Sequence, residues 1–261
     1  MQEPTTPSIA RIYDYWLGGS HNFPVDRAVG KQMEQLMPFV TQGLTINRWF
    51  VGYAGRRMTQ AGVSRFLDLG AGLPTEGALH EHVPAAAKVL YNDFDPETVA
   101  YGQRILQDEH GNPARMRFVQ GRIEEIDPIL AAAETFFGQP APIGICMIAV
   151  VHFIDDDALS RVAQRLYDWA APGSILAVTT SQRNLDDPVE QAALDGYQQR
   201  TGVELYFRRP EQLAQLLAPW TAADGGFQRL EEFAEADLGR QHIVLPDYRG
   251  KVGYGGFLYR S

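Results

Sequence analysis

Cysteine is almost missing from this chain: Cys146 is the only one in 261 residues. No internal disulfide can form, and a reducing, cytoplasmic setting is expected. Long apolar runs are missing as well. The longest, Ile143 to Ile154, contains His152 and is too short to cross a bilayer. Between Met1 and Ala10 no basic region precedes an apolar stretch, so no signal peptide is expected. Positive charge is in deficit, 23 Lys and Arg against 32 Asp and Glu, a net charge of −9. Such a chain repels phosphate backbones and anionic lipid, so neither nucleic acid nor membrane is the expected partner. There is no G-x-S-x-G elbow, no P-loop and no C-x-x-C pair, which removes the support for hydrolase, NTPase and zinc chemistry. No repeat, low-complexity tract or Ser/Gly-rich linker divides the chain. What is present is the 45% hydrophobic and 11% aromatic content of an ordinary globular protein whose expected partner is a small molecule.

Two regimes are visible, residues 1–62 and residues 63–261. In the first, Ile46, Trp49, Phe50, Tyr53, Ala54 and Met58 recur at helical spacing. Val29, Met33, Leu36 and Met37 mark a shorter helix that Pro38 stops. Ahead of both lies an aromatic stretch that passes into turn formers, Tyr13-Asp14-Tyr15-Trp16-Leu17-Gly18-Gly19-Ser20-His21-Asn22-Phe23-Pro24. The second regime alternates short apolar runs with helical segments. The runs are Arg65–Leu69, Lys88–Asn92, Met116–Val119, Gly144–Val151, Ser174–Thr180, Phe227–Phe233 and Val252–Tyr259. Helices are expected around Thr75–Glu81, Glu97–Asp108, Leu159–Ala170, Asp187–Arg200 and Pro210–Leu217. This pattern predicts an α/β fold: a doubly wound, Rossmann-like, seven-stranded and mostly parallel sheet, with a late antiparallel hairpin and an N-terminal helical lid.

In such a sheet the ligand lies beyond the carboxyl ends of the strands. The first strand leads into Asp68-Leu69-Gly70-Ala71-Gly72-Leu73-Pro74-Thr75. The glycines allow close backbone approach, and a following helix would offer free N–H groups. A dinucleotide fingerprint needs a further glycine where Thr75 stands, and Asp68 would repel a pyrophosphate while attracting an ammonium. The expected ligand is therefore a nucleoside bearing an amino acid, S-adenosyl-L-methionine. Asp93 closes the second strand 21 residues beyond Gly72, where an acid grips ribose hydroxyls. Asp95 before Pro96 reads instead as a helix cap. Gln120-Gly121-Arg122-Ile123 would border adenine. His152, at the lip of the fourth run, could take a proton from an acceptor, or simply pack beside Phe153. Asp155-Asp156-Asp157 reads as the cap of the next helix, and no metal is expected. His80, His82, His110 and His242 read as solvated or local-structure residues without metal-ligand spacing.

Together these residues resemble the class I S-adenosylmethionine-dependent methyltransferases. More narrowly, the chain resembles the mainly actinobacterial S-adenosyl methyltransferase family once catalogued as a domain of unknown function. The segments that carry the resemblance are Ile12 to Phe23 with Asp26-Arg27, Phe66 to Thr75, Tyr91 to Pro96, Val150 to Ile154, Pro172-Gly173-Ser174 and Tyr254-Gly255-Gly256. The resemblance implies that Asp68, Gly70, Ala71, Gly72 and Thr75 hold the methionine end and Asp93 the ribose. It further implies that Phe94, Arg122 and Ile123 border adenine, and that Ala149 and Val150 run along the methionine. Gly19, His21 and Asn22 would close over the cofactor. Arg122 stands where family members commonly carry an acid. His152, Tyr15 and Tyr13 are the candidate catalytic residues, and Trp16, Phe23, Phe153 and Tyr254 the candidate acceptor contacts. Methyl transfer to a small aromatic or heteroaromatic metabolite in natural-product biosynthesis is expected, at carbon, nitrogen or oxygen, an indole-type ring included. A non-catalytic S-adenosylmethionine-binding regulatory module and an NAD(P)-dependent oxidoreductase remain the alternatives. Association of copies through the N-terminal helices is compatible with the pattern.

Overall fold

The strands read as near-continuous apolar runs because both faces of the sheet are covered. The computed structural model describes residues 4–36, 40–110, 112–183, 186–223, 225–239 and 252–261. Five parallel strands form its centre: β1 (Arg65–Leu69), β2 (Lys88–Asp93), β3 (Met116–Gln120), β4 (Gly144–Met147) and β5 (Ile175–Gln182). Two short strands, β6 (Thr221–Ala222) and β7 (Gln228–Arg229), and the long β8 (Val252–Tyr259) complete it. The order is β3-β2-β1-β4-β5-β8-β6, with β7 also paired to β8. The sheet has eight strands where seven are expected: β6 falls outside the expected runs, and β7 is all that the Phe227–Phe233 run contributes. As expected, the tail strand β8 runs antiparallel, chiefly against β5. The chain reverses strand order between β1 and β4, which places the ligand crevice there.

Leu67, Leu90, Ile145 and Leu176 point to one face, where α5 (Ile126–Phe137), α6 (Asp156–Trp169) and α8 (Pro210–Leu216) cover them. Phe66, Val89, Tyr91 and Cys146 point to the other, under α3 (Val40–Gln60), α4 (Pro96–Ile105) and α9 (Leu230–Leu238). Two helices precede α3, namely α1 (Ile9–Trp16) and α2 (Pro24–Leu36); α7 (Pro188–Thr201) follows β5. Arg11 pins α1 to α2 through Asp26, which is fully buried and accepts from Arg11 Nε at 2.8 Å, Ser8 N at 3.0 Å and Phe23 N at 2.9 Å. A buried ion pair holds only when its remaining oxygens are also satisfied, and here they are.

Several expectations are corrected. No α-helix spans Thr75–Glu81; a single 3-10 turn, Leu79–Glu81, stands there. Gly70, Gly72 and Gly77 all have positive φ and Pro74 interrupts the segment, so helical dihedrals cannot propagate. The fourth strand stops at Met147 and not at Val151, because Ala149 turns into the left-handed region at φ +56° and Val151–Phe153 forms a 3-10 turn. Phe227–Phe233 is not a strand beyond Gln228–Arg229. Leu230, Phe233 and Ala234 bury one side of α9 at helical spacing instead. The tyrosine-rich N-terminal stretch forms α1, and Ile126, Ile129, Leu130, Ala133 and Phe137 build α5, which lies outside the expected helical segments. Of the two readings of His80, solvated or local-structure, the second holds: it is buried, with Nδ1 2.7 Å from Tyr91 Oη. Met37, Pro38 and His242 lie outside the described residues. No helix among the described residues is long and apolar enough to cross a membrane.

Candidate functional site

Asp68 sits one residue before the end of β1 with 7% of its surface exposed. Among the described residues its carboxylate has no hydrogen-bond donor. Burial pushes its pKa up to about 7, an effect that the nearby positive charge of Arg48 partly offsets. A partnerless carboxylate in a dry place is destabilised unless a cation arrives. The chain then turns through Gly70, whose φ is +66° and where a Cβ would lie 2.4 Å from Val150 Cγ2 and 3.5 Å from Ile123 Cδ1. Only glycine leaves that floor open. Gly70, Ile123 and Val150 therefore converge.

Asp93 ends β2 and folds back onto the same turn. Its oxygens accept from Gly72 N at 3.1 Å and Asp95 N at 3.0 Å, while Ala71 N donates to Asn92 O at 2.9 Å. Burial raises the pKa of Asp93, and these backbone donors counter the rise. The carboxylate retains lone pairs for two ribose hydroxyls. Asp95 caps α4, accepting from Glu97 N at 3.1 Å, with Pro96 at the first helical position. Beside Asp93, Phe94 is 55% exposed and carries the Arg122 guanidinium 5.3 Å from its ring centroid. Arg122 also pairs with Glu124 at 3.3 Å. A flat ring standing in solvent at the end of β2 suits one face of an adenine. Thr75 is buried farther along the loop.

The N-terminal helices reach this turn through α1. Ala10 Cβ would be 3.7 Å from a Cβ placed on Gly72. Tyr13 donates to Leu44 O at 3.3 Å, lies under the Arg48 guanidinium at 5.4 Å, and has its pKa raised by burial. Gly19, His21 and Asn22 wrap around buried Asp14, which accepts from His21 N at 2.8 Å and Asn22 Nδ2 at 3.0 Å. A Cβ at Gly19 would strike Asp14 Oδ1 at 2.3 Å. His21 Nδ1 lies 3.1 Å from Tyr101 Oη on α4, so this loop latches the lid to the sheet. Tyr15 and Trp16 contact α2: Tyr15 packs over Gly30, and Trp16 Nε1 donates to Gly30 O at 3.4 Å. Phe23 lies under Arg11 at 5.7 Å. These contacts of the three are with α1 and α2.

Beyond β4, Ala149 N donates to Thr179 Oγ1 at 2.9 Å, and Thr179 donates to Asn47 Oδ1 of α3 at 2.7 Å. A non-glycine residue at positive φ costs on the order of 1 kcal/mol, and this chain of bonds holds it. His152 follows in the 3-10 turn, its ring 4.5 Å from Phe153 and stacked at 6.2 Å on Phe207. Its Nδ1 is buried without a partner among the described residues. Burial, then the charges of Arg183 and Arg208, lower its pKa to about 4. His152 is therefore neutral at physiological pH. Phe153 packs partly against the α5–α6 core, and Tyr254 of β8 stands opposite Thr180 near the carboxyl end of β5. Asp155 caps α6 through Ala158 N at 2.8 Å, as the sequence pattern suggests.

Arg208, Phe207, Arg48 and Asn47 carry no signal that motif spacing could find, because each acts across a fold contact. Arg208 is the clearest case. It is 2% exposed and donates to Val151 O at 2.7 Å and Ile154 O at 2.5 Å, and it pairs with Asp156 at 2.7 Å. Arg208→Ala leaves two carbonyls unanswered and should lower stability by about 3 kcal/mol, read as a shifted urea midpoint. Arg208→Lys cannot reproduce the fork and should recover less than half of that loss.

A glycine turn between two buried carboxylates, at the switch of a Rossmann-like sheet, defines a protein that binds a nucleoside carrying a positively charged amino acid. A model of the S-adenosyl methyltransferase family matches residues 2–240, and the chain belongs to that family. It is an S-adenosylmethionine-dependent methyltransferase, and S-adenosyl-L-methionine is its cofactor. A candidate methyltransferase of Thermobifida fusca YX is 26% identical, with a TM-score of 0.81 over 98% of this chain and 95% of that one. A DUF574 family protein of Streptomyces avermitilis MA-4680 shares the fold at 24% identity, TM-score 0.79, with 98% of both chains covered. Magnesium protoporphyrin IX methyltransferase from Synechocystis PCC 6803, solved with bound S-adenosylhomocysteine, also shares it at 11% identity and TM-score 0.57, over 96% and 93% of the two chains. A search of curated proteins gives no match.

Proposed function

We propose that the protein methylates a small aromatic or heteroaromatic metabolite, an indole-type ring among the acceptors this admits, within specialised metabolism. The observation that carries the proposal is the pair of rings past β4: His152 and Phe207 lie nearly parallel, 14° apart, with Phe153 against the same imidazole. Such a wall favours a flat acceptor lying along it.

Bound S-adenosylmethionine supplies an electrophilic methyl on a sulfonium. Asp68 would hold the ammonium and Asp93 the ribose, with Gly70, Ala149 and Val150 lining the floor. Alignment and exclusion of water are what these residues contribute to rate. A neutral His152 with a conjugate-acid pKa of about 4 is always ready to accept a hydrogen bond, yet is too weak a base to strip a proton before transfer. It would orient an acceptor N–H or O–H and take the proton only as the new bond forms.

Labelled methyl transfer into a metabolite extract, resolved by mass, should mark an aromatic product. His152→Ala should lose about 10- to 100-fold in kcat while binding S-adenosylhomocysteine as wild type does. The wild-type kcat profile should show no histidine limb near pH 6.5. Full turnover by His152→Ala would remove this role, and an exclusively aliphatic product would remove the aromatic acceptor.

A further inference from the structure

At the carboxyl end of β1 two opposite charges stand near one another without meeting. Asp68 is buried and lacks a donor among the described residues. Arg48 enters from α3 between the loop after β1 and the lid. A Cβ at Gly77 would lie 3.0 Å from its Cγ, and its guanidinium carbon is 5.4 Å from the Tyr13 ring centroid. Its Nε is buried with no hydrogen-bond partner among the described residues. Each charge feels the other, since Arg48 counters the rise in the Asp68 pKa. Yet among the described residues no Arg48 nitrogen comes within 4.0 Å of a carboxylate oxygen. A guanidinium and a carboxylate left partnerless in a poorly solvated place attract strongly, so a held separation between them suits something dipolar in between.

We infer that Arg48 binds the α-carboxylate of the methionine moiety of S-adenosylmethionine, so that Arg48 and Asp68 together read the zwitterion. The ammonium goes to Asp68 and the carboxylate to the planar guanidinium, whose donors can meet both carboxylate oxygens. Tyr13, under the guanidinium, fixes its plane. The inference rests on the cofactor and not on the nature of the acceptor. It makes Arg48 the residue that tells the intact cofactor from one lacking its carboxylate.

Calorimetry on the full chain with three probes tests this: S-adenosylhomocysteine, its decarboxylated analogue, and 5′-methylthioadenosine, which lacks the whole amino acid. Wild type should prefer S-adenosylhomocysteine to the decarboxylated analogue by about 30-fold or more, the range of a lost charge-assisted pair. Arg48→Gln should weaken S-adenosylhomocysteine by a similar factor and bring the two ligands to parity, with Arg48→Lys intermediate. Binding of 5′-methylthioadenosine should stay unchanged, which shows the variant folded. A wild type that binds the first two probes equally overturns the inference, with no variant needed. An Arg48→Gln protein that keeps the wild-type ratio overturns it too, as does one in which only the acceptor KM rises. A wild type that ignores all three probes would overturn the site assignment and this role with it.

Discussion

The Asp68→Asn protein should melt above wild type and bind S-adenosylhomocysteine more weakly, by about 30-fold or more. Both results follow from one carboxylate. In the unfolded chain an aspartate titrates near 3.8; in this fold Asp68 titrates at about 7. The folded state thus holds its proton over a range where the unfolded state has released it. This group's penalty on stability is absent below the lower value, grows between the two, and is complete above the upper. The shift corresponds to at most about 4 kcal/mol at alkaline pH, less what Arg48 loses when its neighbouring charge is removed. Differential scanning calorimetry of the free proteins between pH 6 and 8.5 should show the gap in Tm widening with pH. The same titration governs the ligand. Wild-type affinity for S-adenosylhomocysteine should fall as pH drops through 7, approaching tenfold per unit, since a neutral acid no longer answers an ammonium. Asp68→Asn should lose about 30-fold or more at pH 8 and show little pH dependence. Affinity that is flat with pH in wild type would contradict the assignment.

Asp93→Ala should move stability the opposite way. Both carboxylates border one glycine turn, but Asp93 is already in use. Its removal strips acceptors from Gly72 N and Asp95 N and loosens the turn from β2. Two orphaned donors cost about 2–4 kcal/mol, a fall of roughly 5–10 °C in Tm for a chain of this size. The ribose grip goes at the same time, so S-adenosylhomocysteine affinity should fall by about 100-fold. Melting curves of the free variant separate the two effects, because the loss in Tm requires no ligand. An Asp93→Ala protein as stable as wild type would mean that the Gly72 N–H finds another acceptor.

What the sequence revealed of this molecule was mostly local. Strand positions were legible because apolar runs covered on both faces leave a plain trace: Arg65–Leu69 has the expected bounds, and β2, β3 and β5 lie within two residues of theirs at each end. Asp68, Gly70 and Asp93 could be singled out because each stands at or just past the end of a strand that the apolar runs mark. The failures share a physical cause. Thr75–Glu81 has helix-forming residues, but three glycines in the left-handed region and a proline set the backbone instead. The fourth run looked like strand up to Val151, yet Ala149 leaves the sheet under a bond from β5 that no local pattern encodes. Arg48, Asn47 and Arg208 act on groups far from them along the chain, so their importance appears only once the helices are docked. The aromatic N-terminal stretch divides the same way: Tyr13 faces Arg48 and the turn, whereas Tyr15 and Trp16 face α2.

The bond series from Asn47 through Thr179 to Ala149 joins the roof of the crevice to its floor. If Ala149 seats the methyl donor as proposed, whoever reshapes α3 also tugs on that seat. Under that reading a change in α3 and a change in the seat of the donor are mechanically geared, and redesign is better begun at Phe207 or Tyr254, outside that linkage.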